Sequence, residues 1–90
     1  MNKAALVDVV ADRVELTKES TARVVDELVV AIVAAVAGGD VVRLSGFGTF
    51  EARDRRPRTA RNPRTGEQLR LSAMTVPAFR PSPAFKQAVA

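Results

Sequence analysis

Ala52–Met74 reads ARDRRPRTARNPRTGEQLRLSAM, and the fold follows from how this stretch is placed. Arginine stands at positions 53, 55, 56, 58, 61, 64 and 70, against only Asp54 and Glu67, and no aromatic side chain interrupts the run. Asn62-Pro63-Arg64-Thr65-Gly66 has turn chemistry, with proline presetting φ and glycine permitting φ > 0. Arg53–Arg61 and Glu67–Ala73 are long enough to pair on either side of that turn as extended strands. The second alternates Leu69, Leu71 and Ala73 with Arg70 and Ser72, a period of two. The stretch predicts a long basic β-ribbon with a proline at its tip. Such a ribbon has little apolar surface to bury, and an isolated two-stranded hairpin is marginal in water. Its order is expected to come from a partner, and a row of guanidiniums calls for a polyanion.

The remainder of the 90-residue chain leaves roughly 70 residues for a core, near the lower limit for a self-sufficient fold, and no cysteine staples it. An apolar content of 47% is high for so small a body and points to surface buried between chains, most simply in a homodimer. Residues 1–45 carry five basic and seven acidic side chains, whereas residues 46–90 carry nine and three. One half therefore reads as a body and the other as an anion-binding element. The absence of cysteine fits a reducing compartment. The N-terminus shows no signal-peptide pattern, and the apolar run Val29–Ala37 falls far short of the ~20 residues of a membrane span. A soluble, intracellular protein is expected.

Taken in order, Asn2 is a cap for a helix over Lys3–Val14, whose apolar stripe is Leu6, Val9, Val10 and Val14, reached through Arg13, with Asp8, Asp12 and Glu15 opposite. Thr17 caps a second, longer helix with Glu19 in its first turn. Its stripe of Val25, Leu28, Val29, Ile32 and Val36 is widened by Val24, Val30 and Val33, so burial on several sides is expected. Gly38-Gly39 ends it. The pair forms an αα-hairpin. A helix-turn-helix reader is disfavoured because neither helix has a basic, polar face for reading bases. Val41–Ser45 is a short strand, Gly46-Phe47-Gly48 a turn with Phe47 packed inward, and Thr49–Ala52 the start of the strand entering the ribbon. The glycine spacing matches no phosphate-binding loop. Val76–Arg80 returns as a third strand. Ser82 and Pro83 then open a helix over Ala84–Val89 with Phe85 and Val89 on one face.

Catalysis is poorly supported. Without histidine or cysteine there is no imidazole base, thiolate or ordinary zinc site, and no cofactor or metal is expected. Asp8, Asp12 and Glu15 read as a solvated acidic face rather than a metal cluster. A ribbon with no stacking aromatics favours duplex over single-stranded nucleic acid. From the residues alone, Pro63 is equally an ordinary turn residue or a wedge. A ribosomal-type RNA-binding hairpin and a purely structural oligomer remain as rivals, the latter disfavoured by the charge density.

Gly46-Phe47-Gly48-Thr49-Phe50, Arg61-Asn62-Pro63-Arg64-Thr65-Gly66-Glu67 and Pro77-Ala78-Phe79 together resemble the bacterial HU/IHF histone-like DNA-binding family, along the whole chain. The RNPRTGE tip is the most specific part. Ala60 and Phe79-Arg80-Pro81 look most like the actinobacterial HU branch. The resemblance implies an α+β fold, an intertwined homodimer of helical hairpins with a three-stranded antiparallel saddle and two β-ribbon arms. It assigns residues 1–39 to the helical dimerisation region, 40–52 and 75–80 to the saddle, 53–74 to the arm and 82–90 to the last helix, all in one domain. It places Leu28, Val29, Ile32, Val36, Leu44, Phe47, Phe50 and Phe79 in the dimer core. It implies DNA contacts from Lys3, Arg53, Arg55, Arg58, Arg61, Asn62, Arg64, Arg70, Arg80 and Lys86, and intercalation by Pro63. The function it implies is that of a nucleoid-associated protein of the bacterial cytoplasm, bending and condensing double-stranded DNA from the minor groove with little sequence preference. The alternative is a sequence-preferring, IHF-like bender. Such wedges exchange unstacking energy for a bent duplex that covers more protein, and HU and IHF are standing examples. Ala60 where glycine is usual, Pro57 within a strand, Arg70 alone on the returning strand, and Pro81-Ser82-Pro83 depart from the pattern and bear on affinity.

Overall fold

The computed structural model describes the backbone of residues 1–55, 58–71 and 74–90, and the side chains of 1–54, 61–68 and 74–90. Asn2 opens α1 (Lys3–Val14): its Oδ1 accepts from the Ala5 N–H at 2.9 Å, satisfying one of the donors that a helix start leaves unpaired. The helix ends at Glu15, held in the left-handed region at φ 57°, and the N–H groups of Glu15 and Leu16 both donate to the Ala11 carbonyl. Thr17 caps α2 (Lys18–Ala37), its Oγ1 accepting from the Ser20 N–H at 3.1 Å. At the far end the N–H groups of Gly39 and Asp40 donate to the carbonyls of Val36 and Ala35, which satisfies the last acceptors of the helix.

The chain divides into two units, Met1–Ala34 and Ala35–Ala90. In the first, Lys3 pairs with Asp26, and Lys18 Nζ lies 3.4 Å from Asp8 Oδ1, so two ion pairs join α1 to α2. Its buried residues are Val7, Ala11 and Thr21. This corrects the expected stripe: Leu6, Val9 and Val14 are exposed in the single chain. Val7 and Ala11 stand four apart and share a face. Two apolar faces overlap on α1, and within the single chain the buried one is that of Val7 and Ala11. The second helix, expected to be buried on several sides, keeps most of its apolar surface open within the single chain. Val24, Leu28, Val29, Val30 and Val33 remain 50–61% exposed, and only Val25, Ile32 and, in the second unit, Val36 are half-buried.

In the second unit, β1 (Val42–Leu44) and β2 (Gly48–Arg55) form a hairpin. The arm follows as β3 (Arg58–Arg61) and β4 (Gln68–Leu71), and β5 (Met74–Pro81) returns alongside β2. The sheet order is β1-β2-β5, antiparallel throughout, with β3-β4 as a separate two-stranded ladder. Ser82 then caps α3 (Pro83–Val89), with its Oγ accepting from the Phe85 N–H at 3.2 Å and proline in the first turn.

All four phenylalanines of the chain meet on this unit. Phe50 and Phe79 face each other across β2 and β5 with centroids 4.8 Å apart, and Phe47 stacks on Phe85 at 5.2 Å with 17° between the planes. Phe47 is nevertheless 43% exposed, so it lies at the open edge of the cluster rather than inside it. Val89, expected beside Phe85, is exposed as well in the single chain.

Candidate nucleic-acid interface

Alternation along β2 sorts its side chains onto two faces, and antiparallel pairing keeps cross-strand partners on the same side. Phe50 pairs with Phe79 and Ala52 with Pro77 on the face that carries the ring cluster, where Ala52, Pro77 and Phe79 are exposed in the single chain. Thr49 pairs with both Arg43 and Arg80, Glu51 with Ala78, and Arg53 with Val76, so Arg43, Glu51, Arg53 and Arg80 share the opposite face. Glu51 lies at the centre of it. Its Oε1 takes the Arg80 Nε at 2.8 Å and the Arg53 Nε at 3.4 Å, while its Oε2 takes the Arg80 Nη2 at 3.4 Å. The Glu51 side chain is only 20% exposed, whereas those of Arg53 and Arg80 are more than half exposed.

The arm holds the same antiparallel register: Arg58 pairs with Leu71 and Arg61 with Gln68, as Arg55 pairs with Met74 below. Its tip is closed by short hydrogen bonds. The Asn62 N–H donates to the Glu67 carbonyl and the Gly66 N–H to the Asn62 carbonyl, each at 2.8 Å, and Asn62 Oδ1 accepts from the Arg64 N–H at 2.9 Å. Gly66 turns the chain back at φ 74°, which a side chain rarely tolerates. Asn62, half-buried, is thus spent on the turn's own backbone, a structural role the sequence did not disclose. Pro63 stands exposed at the apex, between the exposed side chains of Arg61 and Arg64.

The other candidates are dispersed. Lys3 is on the first unit, engaged with Asp26, and Lys86 is exposed on α3. Arg55, Arg58 and Arg70 occupy strand positions, but their side chains lie outside the described residues, as do Arg56, Pro57, Ser72, Ala73 and the faces assigned to Leu69 and Leu71. Arg43 was not singled out from the sequence. Its signal was the outward position in Val42-Arg43-Leu44, which gains meaning only once Thr49 and Arg80 are known to lie in the same row. Among the described residues, no helix is long and apolar enough to cross a membrane, and no group of acidic residues is placed to hold a metal ion.

Comparison with known proteins agrees with this geometry. Residues 1–90 match the family described as bacterial DNA-binding protein. The chain is 46% identical to DNA-binding protein HU 1 of Bacillus subtilis, covering 100% of this chain and 98% of that one. It is 44% identical to DNA-binding protein HU-alpha of Salmonella typhimurium, covering 99% of each. Among solved structures, an Anabaena HU–DNA cocrystal superposes with a TM-score of 0.90 at 43% identity, covering 100% of this chain and 98% of that one. HU from Thermotoga maritima superposes with a TM-score of 0.71 at 29% identity over the whole of both chains. With a family match over its full length and relatives of this similarity, the chain belongs to the bacterial HU family of DNA-binding proteins.

Proposed function

We propose that this chain acts as a homodimer that binds double-stranded DNA with little sequence preference, bending and compacting it within the nucleoid of a bacterial cytoplasm. It is a structural binding protein, as its family is, and not an enzyme. The observation that carries the reading is the arm tip, where an exposed proline is held at the apex of a hydrogen-bonded turn between two exposed arginines. Arginine–phosphate contacts release counterions and supply affinity independent of sequence. The rigid, apolar ring of Pro63, which has no N–H to leave unsatisfied, enters a base step and kinks the duplex. Base-edge readers are scarce on the arm, and the Oδ1 of Asn62 is engaged by its own turn, which disfavours the IHF-like alternative. Deformable, nicked or already bent duplexes are the preferred substrates.

The exposed residues Leu28, Val29, Val30 and Val33 support the dimer, because each such side chain fully buried against a second copy contributes about 1.5–3 kcal/mol. Leu28, Val29, Ile32, Val36, Leu44, Phe47, Phe50 and Phe79 form the core on this reading. Contacts to DNA come from Lys3, Arg53, Arg55, Arg58, Arg61, Arg64, Arg70, Arg80 and Lys86, with Arg43 added by the register of β1. The whole chain is one functional domain, and Ala60 with Phe79-Arg80-Pro81 supports an actinobacterial origin. Gel shifts on linear, nicked and cruciform duplexes, with folded RNA of matched length as competitor, test the function. Retention of distorted duplex over linear duplex and over RNA is expected, and preference for RNA overturns the reading. Sedimentation at micromolar concentration should give twice the chain mass.

A further inference from the structure

Glu51 is an anion inside a surface whose purpose, on the reading above, is to receive anions. Its neighbours Thr49 and Arg53 on β2, and Arg80 on β5, share one face of the sheet, and Glu51 meets two guanidiniums with a single carboxylate. The contact with Arg80 is two-pronged, Nε to Oε1 at 2.8 Å and Nη2 to Oε2 at 3.4 Å, the geometry with which guanidinium also grips a phosphate. Arg53 directs both Nε, at 3.4 Å, and Nη2, at 3.5 Å, to the same Oε1. The side chain of Glu51 is 20% exposed while those of Arg53 and Arg80 are 56% and 54% exposed, so the acid sits beneath its two partners.

We propose that Glu51 occupies, in the free protein, the anion seat between Arg53 and Arg80 that a DNA phosphate takes in the complex, and that it thereby limits affinity. The inference rests on the DNA-binding reading and concerns how that face is tuned. In the free protein the carboxylate relieves repulsion between the two guanidiniums. On binding, a phosphate competes for the same N–H donors, and the carboxylate it displaces stays nearby as a like charge. Duplex binding at this face is therefore an exchange of ion pairs rather than a simple gain, and the net number of counterions released is smaller than the count of arginines implies.

Replacement Glu51→Gln keeps the length and one acceptor oxygen but removes the charge. The test measures duplex affinity by gel shift or fluorescence anisotropy over a salt series, for the parent, Glu51→Gln, Arg80→Ala and the double variant. Glu51→Gln should bind linear duplex about threefold or more tighter at low salt, as expected for one released ion pair, and steepen the log–log salt slope by up to ~0.9 per chain. In the Arg80→Ala background the gain should shrink, because half of the seat is gone. Equal or weaker binding by Glu51→Gln overturns the inference, and so does an equal gain in both backgrounds, which would be a generic charge effect. A parent that fails to retain duplex at all overturns the DNA reading itself, a distinguishable result. Should the variant fold poorly, carbon-13 spectra of the parent serve instead. The Glu51 carboxyl resonance should move toward that of a free carboxylate when duplex is added, and an unmoved resonance overturns the inference.

Discussion

Gly48→Ala tests whether the packed and charged faces of the sheet are mechanically joined. A Cβ at position 48 would lie 2.5 Å from both Cε1 and Cζ of Phe79 and 2.6 Å from the Arg80 carbonyl oxygen. Comfortable carbon–carbon contact begins at about 3.5 Å, so roughly an ångström must be found on two sides. The Phe79 ring, 38% exposed, can yield only on its open side. Its centroid lies 5.1 Å from that of Phe47, 4.8 Å from Phe50 and 6.2 Å from Phe85, and each aromatic pair it loosens forfeits about 0.5–1.5 kcal/mol. The carbonyl is backbone, in register with Thr49, and moves only with β5. Overpacking of this kind costs about 1–3 kcal/mol. The lower unfolded-state entropy of alanine returns about 0.4–1 kcal/mol. A net loss of about 1–2 kcal/mol remains, which for a domain of this size lowers Tm by ~4–8 °C per kcal/mol. Circular-dichroism melts at matched chain concentration measure it, since Tm of a dimer depends on concentration. Because Arg80 rides on the displaced backbone, duplex affinity should fall even at temperatures where the variant is folded. An unchanged Tm, or a lowered Tm with parental affinity, would refute the coupling.

Glu15→Gly should raise Tm, because Glu15 adopts φ 57°, and relief of about 1–2 kcal/mol of left-handed strain outweighs the added unfolded-state entropy of glycine; a lowered Tm would mean that the Glu15 side chain makes a stabilising contact. Replacing Arg61 and Arg64 together with alanine should weaken binding to all duplexes alike and reduce the salt slope by up to ~2 per chain. A preserved slope would place the phosphate contacts elsewhere. Pro63→Ala keeps every guanidinium, so affinity for linear duplex should fall only modestly while ligase-mediated circularisation of fragments shorter than ~150 bp is clearly lost. Circularisation at the parental rate would reduce Pro63 to a turn residue.

What was legible in the sequence was local chemistry. Asn2, Thr17 and Ser82 cap their helices because a short oxygen-bearing side chain reaches an N–H three residues on, and that needs no knowledge of the rest of the chain. The arm turn was legible from the backbone preferences of Pro63 and Gly66, which are equally local. The inward line of α1 was not, because Val7 and Ala11 compete with the larger Leu6, Val9 and Val14, and which face turns inward is decided by what lies opposite. Arg43 and Glu51 were missed for a related reason. Alternation tells which residues of one strand share a face, but not which residues of the next strand stand beside them. The ion pairs of Glu51 exist only because β2 and β5 pair with Glu51 opposite Ala78, which brings Arg80 onto the diagonal.

That dependence on register explains how so small a body supports a long arm. Phe50 and Phe79 on one face and Arg53 and Arg80 on the other are fixed by the same ladder, and the β3–β4 ladder holds the register of the sheet below. A slip of one residue in either strand would turn its arginine, Arg53 or Arg80, toward the ring cluster and its phenylalanine, Phe50 or Phe79, to the other face. The four-ring cluster therefore does more than stabilise the fold. Turning a guanidinium toward the rings is costly, which disfavours alternative registers, and the arginine-bearing face takes its geometry from the ladder it shares with the ring cluster. At the tip, the aim of Pro63 depends on the hydrogen bonds of its own turn. Sequence change at the tip should accordingly alter bending, whereas change at the cluster should alter stability and binding together.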